Sequence, residues 1–141
     1  MIGIIVTGHG KFAEGFTSAI EVVLGKQELF FGINFPSGDT KTELEENIEN
    51  AISSLEMCEN IIVFADLLSG TPFNAAIMKA MKNERIRVIY GTNFGMLIEA
   101  VMNRNTGMEL NDIVKNAMET GKNQIGVFDA DIKKDVEDDE L

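Results

Sequence analysis

Three features of this 141-residue chain carry chemistry: one histidine, one well-placed carboxylate and one turn suited to an anion. The turn lies in Val63-Phe64-Ala65-Asp66-Leu67-Leu68-Ser69-Gly70-Thr71-Pro72-Phe73-Asn74. That stretch reads as an apolar strand, an acid, a small-residue turn and a helix opening on Thr71 and Pro72. Proline is tolerated at the first helical position, where its missing N–H has no intrahelical partner anyway. Thr71 is expected to cap this helix. The free N–H groups of the turn and first helical turn then attract anions, phosphate above all. The only histidine, His9, stands in Thr7-Gly8-His9-Gly10, where two glycines allow a tight turn around it.

A histidine whose Nδ1 donates to a carboxylate has its tautomer fixed and its other nitrogen free to act. As a nucleophile it can take up a phosphoryl group and later release it. Asp66 would stabilise the positive imidazole during transfer, while Ser69, Gly70 and Thr71 would hold the phosphoryl oxygens. This scheme calls for no metal and no cofactor. Each part also has a plain structural role: a surface histidine, a turn-capping acid, a simple helix start. The chemical reading therefore depends on whether the fold brings the parts together.

The elements that must position them follow from periodicity. Ile2 to Val6, Leu29 to Phe35, Ile61 to Ala65 and Ile86 to Tyr90 are short apolar runs of the kind covered on both sheet faces. Between them lie helical stripes. The first is Phe12, Phe16, Ala19, Ile20, Val23 and Leu24, closed by Gly25. The second is Leu44, Ile48, Ala51, Ile52 and Leu55, opened by a Thr40/Glu43 capping box. The third helix runs to about Asn83 with Phe73, Ile77, Ala80 and Met81 inward. A fourth carries Met96, Leu97, Ala100 and Val101; a fifth carries Leu110, Ile113, Val114, Ala117 and Met118 and stops at Gly121. Gln124 to Phe128 is expected to form a brief last strand.

Strands alternating with helices imply an α/β fold, a doubly wound three-layer αβα with a mainly parallel sheet. In the order 2-1-3-4, chain direction reverses between the first and third strands, and ligands bind in the crevice there. His9 follows the first strand and Asp66 ends the third, so the topology sets histidine, acid and anion cradle side by side.

Composition narrows the function class. A formal net charge of −11 argues against nucleic-acid binding, which wants a basic footprint. From Asp129 to Leu141 seven acids face only Lys133 and Lys134, which reads as a solvated acidic tail (129–141) after a domain at 1–128. The longest apolar runs are strand-sized, so no membrane insertion is expected. Met1 to Val6 lacks a basic leader and runs straight into the fold. A lone Cys58, flanked by acids, reads as structural and suits a reducing cytoplasm.

The motifs also carry a resemblance. Val6-Thr7-Gly8-His9-Gly10 followed by an amphipathic helix resembles the first βα unit of the mannose-family IIA component of the bacterial phosphoenolpyruvate:sugar phosphotransferase system. Phe64-Ala65-Asp66 with Ser69-Gly70-Thr71-Pro72-Phe73-Asn74 is similar to that family's second signature, and Gly91-Thr92-Asn93 with Met96-Leu97 to its fourth-strand turn. The similarity runs from Met1 to about Phe128. Some relatives have Ser where this chain has Thr71, which keeps the hydroxyl.

The resemblance implies that His9 accepts phosphate from the phosphocarrier HPr and passes it to a histidine of a IIB component, with membrane IIC and IID components downstream. Asp66 would orient His9, and Thr71 would be a phosphate ligand. It also implies a homodimer that exchanges its last strand, for which Gln124 to Phe128 is the matching candidate. Leu67, Leu68, Phe94 and Met96 fall near the crevice rim. There, apolar residues suit transient partner docking, although they would serve equally as core.

Rival readings fit less well. A histidine phosphatase needs an arginine and a second histidine beside the first. A response-regulator receiver needs paired acids after the first strand, and a flavodoxin-like module a longer hydroxyl-rich loop. Two closer alternatives would carry the same first unit: the IIA-like phosphocarrier of dihydroxyacetone kinase, and a regulatory domain phosphorylated only to signal. No residue of a IIA component contacts the sugar, so mannose, fructose, sorbose, amino sugars and gluconate all stay open.

Overall fold

The computed structural model describes residues 1–131. The acidic tail expected at 129–141 therefore lies mostly outside the described residues. Four parallel strands, β1 (Ile2–His9), β2 (Phe30–Phe35), β3 (Asn60–Ala65) and β4 (Ile86–Ile89), form one sheet in the order β2-β1-β3-β4. The helices are α1 (Phe12–Leu24), α2 (Lys41–Ser54), α3 (Thr71–Ala80), α4 (Phe94–Asn105) and α5 (Leu110–Asn123).

Strand alternation divides the core into two layers. Ile4, Val6, Ile62 and Phe64 face α1, α4 and α5, packing with Ile20, Leu97, Val101 and Ile113. Ile5, Ile61 and Val63 face α2 and α3, packing with Leu44, Ile48, Leu55, Ala75 and Ala76. Both sheet faces are thus dry, which is why β1 is apolar from Ile2 to Val6 and β3 from Ile61 to Ala65. The three-layer α/β architecture expected from the sequence is present.

Local signals behave as their chemistry predicts, with informative exceptions. Thr40 Oγ1 accepts from the Glu43 N–H at 3.1 Å, the forward half of the capping box. The whole α2 stripe, Leu44 to Leu55, is buried. On α3 the inward face is Pro72, Ala75 and Ala76, whereas Phe73, Ile77 and Ala80 are only half-buried and Met81 is exposed. Small residues let this helix lie close on the sheet, and the expected large-residue stripe is rotated to its flank. Gly121 does not stop α5 but lies buried within it; a Cβ there would sit 2.6 Å from Met96 Cε. Its role is close packing between α5 and α4.

The brief fifth strand is absent within the described residues. Ile125 to Asp129 pair with no strand, and Ile125, Val127 and Phe128 are 78%, 90% and 75% exposed. The segment joins no ladder, although Ile125 lines the same hollow as Arg87, Val88 and Ile89 of β4.

One buried cation escaped the sequence reading. Arg104, at the end of α4, is 3% exposed. Its Nη1 donates to the Ile2 carbonyl at 3.0 Å and the Leu29 carbonyl at 3.2 Å, and its Nε to Asn105 Oδ1 at 2.9 Å. Among the described residues no carboxylate pairs with it. Burial pulls its pKa below the usual guanidinium value. Arg104 thus pins α4 to the start of β1 and to Leu29, a non-glycine residue at φ 54° just before β2.

Candidate functional site

The first strand extends three residues further than its apolar run, so His9 is its last residue, paired with Phe35 of β2. Being in the strand fixes the histidine more firmly than a loop would. Gly10 continues the tie: its N–H donates to the Phe35 carbonyl at 2.8 Å, and the Phe35 N–H returns to the Gly10 carbonyl at 3.2 Å. Gly8 is required by crowding, since a Cβ there would lie 2.5 Å from the Phe12 ring and 3.0 Å from Asp66 Cβ. The start of α1 beside it has no cap of its own from Lys11. Asn34 of β2 supplies one from across the fold, its Oδ1 accepting the Glu14 N–H at 3.0 Å.

Asp66 directly follows β3, one residue beyond the Thr7–Ala65 pair that joins β3 to β1. Its Oδ2 lies 2.7 Å from His9 Nδ1 and accepts the His9 backbone N–H at 2.9 Å. Its Oδ1 accepts the Leu67 N–H at 2.9 Å. An ionised carboxylate only accepts, so Nδ1 carries the proton and, in the neutral ring, Nε2 bears the free lone pair. The Asp66 side chain is 10% exposed and that of His9 48%. Partial burial pushes the Asp66 pKa up, but the hydrogen bonds from His9 and Leu67, with the attraction of His9, outweigh it and hold the carboxyl below its usual range.

This shift has a thermodynamic sign. A carboxyl whose folded-state pKa lies below its unfolded value adds stability that is complete above the unfolded value and is lost as pH falls through the folded one. The stability advantage of the native protein over Asp66→Asn, followed by urea unfolding, is therefore expected to shrink on acidification through about pH 4 and below. A gap that stays constant from about pH 6 to about pH 3 would contradict the assignment.

Gly70 closes the other side of the ring. It is the N-cap of α3 at φ 102°, and a Cβ added to it would stand 3.0 Å from His9 Cε1 and 3.3 Å from Nε2. Only glycine combines that backbone with that proximity. Thr71 is consequently the first helical residue rather than the cap, and its hydroxyl enters no hydrogen bond among the described residues. The first intrahelical bond runs from the Asn74 N–H to the Gly70 carbonyl at 2.9 Å. The N–H groups of Thr71 and Phe73 precede it and have no intrahelical partner, and Pro72 brings none. Ser69 is exposed and Thr71 half-buried.

The expected rim divides. Leu67 and Leu68 are 56% and 60% exposed beside Asp66. Phe94 is half-buried and stacks on Phe16 with centroids 6.0 Å apart; Lys11, Phe12, Gly15, Phe16, Ala19 and Phe94 line a shallow hollow of about 310 Å³. Met96 does not belong to the rim. It is 6% exposed in the core, against Gly121, because Asn93 caps α4 through its Oδ1 and the Met96 N–H and thereby turns that residue toward α5.

Two larger hollows lie elsewhere, along the sheet's free edges: about 410 Å³ between β2 and α2, and about 450 Å³ between β4 and α5. Neither includes His9. An open, half-exposed histidine suits exchange with another macromolecule better than capture of a small substrate, which wants a deep pocket. Among the described residues no helix is long and apolar enough to cross a membrane.

Comparison with known proteins identifies the family. Residues 3–118 match the family model described as the phosphotransferase system (PTS) fructose IIA component. The chain is 31% identical over 129 residues to the PTS mannose-specific EIIAB component of Escherichia coli (strain K12), covering 92% of this chain and 40% of that protein. It is 31% identical over 115 residues to the PTS sorbose-specific EIIA component of Lacticaseibacillus casei, covering 82% of each. The solved structure of the phosphotransferase system component EIIA from Streptococcus agalactiae superposes with a TM-score of 0.83 at 32% identity, covering 91% of this chain and 98% of that one.

Proposed function

Because the chain belongs to the mannose-family IIA components of the sugar phosphotransferase system, we propose that it is a phosphocarrier working through His9. The observation that carries the proposal is the 2.7 Å contact between His9 Nδ1 and Asp66 Oδ2. It leaves Nε2 as the nucleophile. The Nε2 lone pair attacks the phosphorus of a phosphohistidine on HPr, the donor's P–N bond breaks, and the donor imidazole leaves with that electron pair. Asp66 stabilises the positive charge that His9 gains. Gly70, against the ring, lets the phosphoryl oxygens approach the first turn of α3, where backbone N–H groups of Gly70 and Thr71, with the hydroxyls of Ser69 and Thr71, hold them.

Transfer onward is the same step in reverse. A histidine of a IIB component attacks the phosphorus and His9 leaves, in the service of sugar uptake through membrane IIC and IID components. Leu67, Leu68 and Phe94 form the apolar apron on which both protein partners would dock, in the cytoplasm. Residues 1–128 would be the working domain. Homodimerisation by exchange of Gln124–Phe128 belongs to the same reading: Ile125, Val127 and Phe128 are exposed after α5, and Ile125 shares a hollow with Arg87, Val88 and Ile89 of the unpaired β4 edge.

The test is phosphoryl uptake followed by intact mass, with phosphoenolpyruvate, enzyme I and HPr, and with HPr omitted as control. One acid-labile phosphoryl group, gained only with HPr and lost on adding a IIB protein, is the expected result. Uptake without transfer to any IIB protein would point to the regulatory alternative. No uptake under conditions that phosphorylate a known IIA protein would overturn the phosphocarrier reading.

A further inference from the structure

We propose that Thr92 is a positioning residue for the His9–Asp66 pair, acting through the peptide that joins Ala65 to Asp66. This rests on the phosphocarrier reading of that pair. The β3–β4 ladder ends at Phe64 and Ile89, because the chain turns away at Tyr90 and Gly91. Ala65, one step further, has lost its strand neighbour on that side. Thr92 replaces it: its backbone N–H and its Oγ1–H both donate to the Ala65 carbonyl, at 3.3 and 2.7 Å. Thr92 is 8% exposed, so the hydroxyl bond is sheltered from water.

The geometry matters because the Ala65 carbonyl and the Asp66 N–H belong to one rigid peptide plane. Holding that oxygen sets the direction in which the chain leaves β3, and hence where the Asp66 carboxylate stands. The carboxylate has to reach His9 N, His9 Nδ1 and Leu67 N at once, all within 2.7–2.9 Å. The far end of the strut is also fixed. Asn93, next in sequence, caps α4 through the Met96 N–H at 3.1 Å and donates to the Gly121 carbonyl of α5 at 2.8 Å. Thr92 therefore ties the catalytic carboxylate to the α4–α5 layer. Among the described residues its hydroxyl bonds only to the Ala65 carbonyl and not to His9.

Thr92→Val keeps the shape and removes only the hydroxyl, and Thr92→Ser restores the hydroxyl without the methyl. Because His9 is the only histidine, its ring nitrogens give a single set of ¹⁵N signals that reports the tautomer directly. Thr92→Val is expected to raise the share of the tautomer protonated at Nε2. It should also slow phosphoryl uptake about 5- to 10-fold at unchanged KM for phospho-HPr, with Thr92→Ser restoring both. Should Thr92→Val fail to fold, Thr92→Ala removes the same bond without a new branch. A variant of lower stability with native ring signals and native rate would overturn the proposal and leave Thr92 a purely structural group. If the native protein itself takes up no phosphoryl group, the phosphocarrier reading fails, and the ring signals still decide whether Thr92 orders the pair.

Discussion

His9→Ala is expected to abolish phosphoryl uptake, and Asp66→Asn to slow it about 100-fold or more. The first follows from arithmetic: the chain has no second histidine to carry the group. The second follows from what Asp66 does at 2.7 Å. It fixes the proton on Nδ1, and in the proposed transfer it would balance the charge that appears on the ring when Nε2 bonds to phosphorus. An asparagine keeps the size but offers one oxygen in place of two charged ones. If its amide nitrogen faces His9, Nδ1 must accept, and the proton moves to Nε2, the atom that has to attack. Stopped-flow or quenched transfer from phospho-HPr, read by intact mass, measures both variants. Asp66→Asn transferring within about threefold of the native rate would show that the carboxylate is a structural cap and not part of the chemistry.

Arg104→Leu carries the second large effect, and it lies at the opposite end of the sheet from the site. The guanidinium donates to two main-chain carbonyls and to Asn105 in a place that is 97% shielded from solvent. Leucine fills part of the volume and leaves the Ile2 carbonyl without that donor and the Leu29 loop without its strap. A buried polar group stripped of its partner costs about 1–3 kcal/mol, and an imperfectly filled space adds to it, so a loss of about 3 kcal/mol and about 10 °C in Tm is expected. Arg104→Lys should recover only part of this, because an ammonium lacks the planar fork that reaches several acceptors at once. Thermal unfolding by circular dichroism checks both variants. An unchanged Tm for Arg104→Leu would mean that water replaces the guanidinium without cost. Phosphoryl uptake at a temperature where the variant is folded should stay close to native, which separates this stabilising role from that of Asp66.

The sequence by itself determined the layers and the place of the site. Alternating helices and apolar strands dictated a parallel sheet covered on both faces. Once the order 2-1-3-4 is drawn, His9 and Asp66 fall at adjacent strand ends, as observed. Such signals are legible because they are periodic or depend on residues with few alternative uses: a lone histidine, a proline at a helix start, a glycine at a turn. Tertiary structure alone decided the rest, for three physical reasons. Helix rotation depends on how closely two surfaces approach, so the small face of α3 turned inward and Gly121 packed on Met96 inside α5 instead of ending it. Met96 went to the core because a cap from Asn93 set its azimuth. A strand needs a partner edge, so an apolar run such as Ile125 to Phe128 does not make one alone. Arg104, Asn34 and Thr92 share the last reason. Each polar group serves a main-chain atom at least 20 residues away in sequence, and no local pattern announces a bond whose other half is brought near only when the chain folds.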